Sequence, residues 1–210
     1  MNGIKTLKNL ERFLLLFWMG GIPWIGGFLL GWWAAYLFLP ERWILPGGIL
    51  GALTGAVVDG ICVKNGLTRA IYAPIWVWGG GYLFYSVCTL GFFMGVPVFN
   101  LFPGFLFCFL MGCRLAHQGR NAIEAKKAAI RSAWFTMGVL FAACIASAIL
   151  ALTDPFTAAN LRGMLGLPFE VTREMMYWFI LVGGGALLVI QWWGSRATVW
   201  WTWKFLARAG

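Results

Sequence analysis

The chain has 210 residues, 61% of them hydrophobic and only 11% charged, with a formal net charge of +9. A soluble domain carries about a quarter charged residues, so these proportions exclude an ordinary water-soluble fold. They also argue against nucleic acid as a partner, because basic residues flanking apolar segments follow from the positive-inside rule.

A bilayer span takes ~20 mostly apolar residues, and six such stretches occupy most of the length. The sequence therefore predicts an all-α polytopic integral membrane bundle: one transmembrane domain, residues 1–210, with six transmembrane helices. The first span covers 13–39 and is interrupted by Gly20-Gly21-Ile22-Pro23 and by Gly26-Gly27. An interfacial helix over 5–18 leading into a shorter span is the alternative. The leader is basic, but the apolar run is too long for a signal-peptide core and no A-x-A-like site follows, so it reads as a retained span.

The second span, 43–62, carries Gly47, Gly51, Gly55 and Asp59 at every fourth position. These share one helix face, and glycines at that period let another backbone approach closely. The third span, 71–94, holds Gly79, Gly80 and Gly81, which are assigned to helix packing on the same ground. A short link then leads into the fourth span, 97–117, with Asn100 behind Pro97 and with Arg114 and His117 near its end. The fifth span, 129–153, is extended backwards by the helix-forming segment 118–128. Asp154-Pro155 opens a short surface helix through Leu161, since Asp is a good N-cap and Pro suits the first turn; Gly163, Gly166 and Pro168 are expected to break it. The sixth span, 175–193, contains Gly183, Gly184 and Gly185, again assigned to packing. The tail 194–210 alternates tryptophans with arginine and lysine and reads as an interfacial segment.

With the N-terminus inside, the inner segments hold Lys5, Lys8, Arg12, Lys64, Arg69, Arg114, Arg120, Lys126, Lys127, Arg131, Arg196, Lys204 and Arg208, and the outer loops only Arg42, Arg162 and Arg173. Thirteen of the 16 basic residues on one side predicts that both termini are cytoplasmic. The expected location is a bacterial plasma membrane. Two marks recur in order: Gly21-Ile22-Pro23 with Gly79-Gly80-Gly81, then Gly95-Val96-Pro97 with Gly183-Gly184-Gly185. That is the form of a 3+3 inverted repeat, a transporter habit.

Candidate chemistry is sparse. Asp59 reads as an ion or proton site, because acids in spans are costly and usually functional, or as an interfacial acid paired with Lys64. Arg114 lies at a similar depth and either pairs with Asp59 or snorkels to headgroups. Asn100 reads as a polar group near the outer face, bonding across helices or to backbone freed by Pro97 and Pro103. Gln191 reads the same way near the inner interface. A single histidine excludes histidine-built zinc and bis-histidine haem sites, and the five cysteines, which form no C-x-x-C pair, read as packing residues. No catalytic residue, metal or cofactor is assigned.

Three functions fit. The first is a small transporter or channel for a small, weakly polar solute or ion. The second is a non-catalytic subunit of a larger complex, such as the membrane partner of a separate ATPase. The third is a lipid-modifying enzyme, for which Asp59, Arg114 and His117 are the candidates. The lipid bilayer is the expected partner, with a second copy or a complex component beside it.

Overall fold

The computed structural model describes residues 2–166 and 168–208; the side chains of residues 2–8, 62–70, 161, 164 and 165 are outside that description. The fold is all-helical. Its elements are α1 (Asn2–Phe38), a 3₁₀ turn (Glu41–Trp43), α2 (Ile44–Ala70), α3 (Ile75–Phe92), a 3₁₀ turn (Pro97–Asn100), α4 (Leu101–His117), α5 (Ala122–Thr153), α6 (Thr157–Leu165), α7 (Arg173–Trp178), a π turn (Phe179–Gly183) and α8 (Gly184–Ala207). Among the described residues, five helices are long and apolar enough to cross a membrane: Asn9–Phe38, Glu41–Ile61, Pro97–His117, Ala122–Thr153 and Arg173–Ala207. The third expected span is not one of them. It forms the 18-residue α3, in which four glycines and four Trp or Tyr residues lower the mean hydropathy.

The Gly/Pro cluster does not break the first helix. α1 runs through Pro23 as one 37-residue element, because an apolar chain has no other partner for its backbone groups than its own helix. Nor does Trp193 end the last span: α8 continues to Ala207, and Ser195, Val199, Thr202 and Leu206 form its buried side. The surface helix after Asp154 forms as α6, with Asp154 accepting from the Phe156 N–H at 3.0 Å and the Thr157 hydroxyl at 3.1 Å. Gly163 lies inside α6, and termination falls to Gly166 at φ 61°, a left-handed position that suits glycine.

The chain divides into two compact units, one of residues 1–84 and one of Tyr85–Arg208. In the first, α1 and α2 form an antiparallel hairpin. Gly31 faces Gly47 and Gly51, Gly27 faces Gly51 and Gly55, and the Pro23 carbonyl faces Gly55. In the second, α4 and α8 run side by side in the same direction, Gly104 against Gln191 and Gly112 against Thr202. α5 runs the other way and packs mainly on α8, with the Phe135 ring tilted against Phe107 at 5.8 Å and the Ser147 hydroxyl donating to the Gly95 carbonyl.

Candidate functional site

In the first unit the fourth-residue glycine stripe of α2 meets a matching stripe on α1. A Cβ on Gly31 would lie 3.0 Å from the Gly51 Cα, and one on Gly55 would lie 3.1 Å from the Trp24 Cα. No side chain fits between the two backbones, so the helices touch through main chain, which is what small residues at this period permit. The α1 half of this contact, Pro23, Gly27, Gly31 and Ala35, has the same spacing of four. In the sequence Pro23 and Gly27 read as parts of an interruption; their spacing of four with Gly31 and Ala35 is the signal that marks a packing face instead.

Asp59 continues the stripe. Its side chain is half-buried and packs over Gly20, and its Oδ1 accepts no hydrogen bond. Pairing with Lys64 concerns a side chain outside the described residues. Beside the hairpin contact runs an open groove of about 580 Å³, lined by Ile22, Pro23, Gly26, Leu30, Thr54 and Val58 together with the stripe glycines. Its one hydroxyl, on Thr54, is turned back onto the Leu50 carbonyl at 2.8 Å. This groove can hold hydrocarbon but offers nothing to a polar solute. Further along α1, Glu11 is buried at 5% exposure on the face that carries Leu15 and Trp18. In the sequence it reads as part of the basic leader.

The second unit encloses a column of polar side chains. Gln191 Nε2 donates to Ser195 Oγ at 2.6 Å. Ser195 and Thr136 share a hydrogen bond of 2.9 Å, and the Thr136 hydroxyl donates to the Ala133 carbonyl at 3.2 Å. The proton order therefore runs Gln191 to Ser195 to Thr136 to backbone. The Cys108 thiol lies beside Ser195 and Thr136, and its single proton can go to only one of the two hydroxyls. Gln191, Ser195, Thr136 and Cys108 all have 0% exposure. The residue types dictate this convergence: near the column the outward residues of α5 and α8, Trp134, Val189, Ile190 and Trp193, are apolar, and a hydroxyl or amide in such a stretch is best satisfied against another helix. Gly104 makes room for Gln191, since a Cβ there would lie 2.9 Å from the amide carbon and from Oε1.

Not every buried acceptor of this unit is satisfied. Gln191 Oε1 and Asn100 Oδ1 are buried and accept no hydrogen bond, and Asn100 is only 1% exposed. Leaving a buried acceptor unpaired costs about 1–3 kcal/mol, so each such oxygen marks a place where a donor is missing. Asn100 and Gln191, read from sequence as groups near opposite membrane faces, both prove to be enclosed in this unit; the i, i+4 relation of Gln191 and Ser195 was the available signal.

The remaining candidates are spread out. Arg114 is half-buried in the last turn of α4 and His117 is exposed at its end. Asp59 belongs to the first unit and Arg114 to the second. Of the glycines assigned to packing, Gly47, Gly51 and Gly55 make close contacts, whereas nothing lies within 4 Å of a Cβ at Gly80, Gly183, Gly184 or Gly185. A triplet points around the whole helix, so only the glycine facing a neighbour can pack, and Gly81 does so against Trp18. In the second unit close approach falls instead to Gly104, Gly112 and Gly194. The two proposed repeat marks also sit in unlike places: Gly21-Ile22-Pro23 is mid-helix, and Gly95-Val96-Pro97 is the link between α3 and α4. Among the described residues no three His, Cys, Asp or Glu side chains gather as metal ligands.

Comparison of the chain with protein families, curated proteins and solved structures finds no match.

Proposed function

We propose that this protein is a small multi-pass transport protein that carries a small, uncharged, weakly polar solute through its second unit. The full reading is a six-span bundle with both termini on the basic side, α3 serving as the short third span. The observation that carries it is the buried column whose Gln191 Oε1 accepts no hydrogen bond, together with a second unpaired buried acceptor, Asn100 Oδ1, in the same unit. Polar groups inside a membrane bundle are costly, and two unsatisfied carbonyl oxygens suit a visitor with N–H or O–H donors. With no ionised side chain in the column, a charged substrate would have no counter-charge there.

The test is flux. Liposomes containing the protein are loaded and challenged with urea or glycerol, and swelling is followed by light scattering. Flux above that of empty liposomes, lost in Gln191→Leu, supports the reading; flux equal to that of empty liposomes overturns it. The open apolar groove beside Gly27 and Gly51 favours a second reading, a membrane subunit docked through the α1–α2 hairpin. That reading predicts a crosslink from a cysteine placed at Gly26 to another membrane protein in intact cells.

A further inference from the structure

One side of the second unit carries a regular alternation of indoles and cations. α8 places Trp192, Arg196, Trp200 and Lys204 at every fourth position, so all four lie along one face. The neighbouring strip of α5 has Lys126, Ile130 and Trp134 with the same spacing in the opposite direction. The two strips interlock. Trp134 meets Trp192 edge-on at 6.3 Å, the Arg196 guanidinium lies 5.5 Å from the Trp192 ring centre, and the Lys126 ammonium lies 5.7 Å from that of Trp200. The ladder is anchored at its end, where Trp203 packs on Trp200 at 5.1 Å and its Nε1 donates to the Arg120 carbonyl at 3.1 Å.

Among the described residues the cations of the ladder have no acid to answer them. At this end of the unit the one described carboxylate is Glu124, and it pairs with Arg120 at 3.3 Å. Arg196, Lys126 and Lys204 are exposed. Cation–π contacts of this kind contribute about 0.5–1 kcal/mol at exposed sites, enough to bias side-chain positions but not to neutralise charge. An anion is the missing partner, and an arginine fork matches phosphate geometry.

The surroundings choose the kind of phosphate. The helix from Arg173 to Ala207 has 35 residues, about 52 Å at 1.5 Å each, against ~30 Å of hydrocarbon. Its C-terminal part, which carries the ladder from Trp192 onward, therefore reaches the headgroup layer when the rest spans. Exposed Ile130, Trp134, Trp193, Trp201 and Phe205 flank the ladder. A soluble anion would leave that apolar border wet, whereas a phospholipid covers both.

We propose that the Trp192–Arg196–Trp200–Lys204 ladder with Lys126 binds the headgroup of an anionic phospholipid, its phosphate on the three cations and its acyl chains on the aromatic border. The site requires that the chain lie in a membrane and is independent of what it transports.

The experiment places the full-length protein in nanodiscs of phosphatidylcholine and phosphatidylglycerol in equal parts and counts retained lipids by native mass spectrometry. Wild type is expected to retain phosphatidylglycerol selectively. Arg196→Gln and Lys126→Gln are each expected to lower that selectivity about fivefold, the worth of one cation at an anionic surface. Lys127→Gln removes the same charge one residue off the ladder and is expected to leave it unchanged. Equal loss in Lys127→Gln, or no loss in the ladder variants, overturns the proposal. So does inorganic phosphate that binds the protein in pure phosphatidylcholine discs with the same residue dependence, since the ligand would then be free phosphate. Should Arg196→Gln fail to fold, Lys204→Gln probes the same site from the exposed last turn of α8, and unchanged selectivity there is equally fatal.

Discussion

Asp59 folds its carboxylate over Gly20, so that a Cβ on Gly20 would lie 2.9 Å from each of its two oxygens. The crowding atoms are the far end of a flexible side chain, and Asp59 Oδ1 has no hydrogen bond to hold it. Gly20→Ala is therefore expected to push the carboxylate aside and to lower stability by less than about 1 kcal/mol, within the range of a change met by local relaxation. Unfolding in detergent micelles reads this directly; a loss as large as that at the hairpin glycines would show that Asp59 is fixed by something stronger than packing.

The hairpin glycines behave differently, because the atoms in the way are backbone. At Gly51 a Cβ would overlap the Gly27 carbonyl and lie 3.1 Å from the Gly31 Cα. Gly51→Ala and Gly27→Ala must separate two helices to fit, and each is expected to cost about 1–3 kcal/mol, the usual penalty of overpacking. Gly80, with nothing within 4 Å of its Cβ position, is the control: in a helix Ala is favoured over Gly by about 0.5–1 kcal/mol, so Gly80→Ala should unfold at or above the wild-type midpoint. Equal losses at all three positions would rule out close backbone contact as the cause.

These contrasts also show what the sequence made legible. Membrane class and the packing face of α2 follow from composition and from a spacing of four, because lipid exposure and helical period act on every residue. The partner face on α1 did not, since Gly and Pro carry the same letters whether they break a helix or let one approach. The column in the second unit was hidden for another reason. Asn100, Cys108, Thr136, Gln191 and Ser195 are scattered along three helices, and each alone is an ordinary minor polar residue in a span. Only the register of α4, α5 and α8 brings Gln191, Ser195 and Thr136 into one hydrogen-bonded chain with the Cys108 thiol beside it.

The link between α3 and α4 supplies a backbone test. Met94 and Gly95 both have positive φ, 53° and 80°, and the Gly95 N–H closes the end of α3 on the Leu90 carbonyl at 2.7 Å. A Cβ on Gly95 would meet only the Leu150 Cδ1, at an ordinary 3.5 Å. Gly95→Ala therefore strains conformation rather than packing and is expected to cost about 1–2 kcal/mol. Gly91→Ala, in regular helix with open space around it, should not. A neutral Gly95→Ala in detergent unfolding would mean that the link adopts another conformation in solution.

The column makes the most specific thermodynamic prediction. Thr136→Val removes the hydroxyl that bonds Ser195 while keeping shape, and Ser195→Ala removes the other partner. If the 2.9 Å contact between them carries energy of its own, the double variant should be less destabilised than the sum of the singles. The expected coupling is about 0.6 kcal/mol, the average for interhelical hydrogen bonds measured in a membrane protein. The smallness has a physical cause: each hydroxyl has a second partner, Ala133 O for Thr136 and Gln191 Nε2 for Ser195, so losing one bond leaves neither group bare. Gln191→Leu, by contrast, takes away the Ser195 donor and the unpaired Oε1 together. Exchanging an unsatisfied amide for hydrocarbon removes a desolvation cost as well as a bond, so its stability should stay near wild type. A folded, stable Gln191→Leu that has lost solute flux would separate the amide's role in transport from any role in holding the bundle together, whereas one that unfolds readily would assign Gln191 to structure.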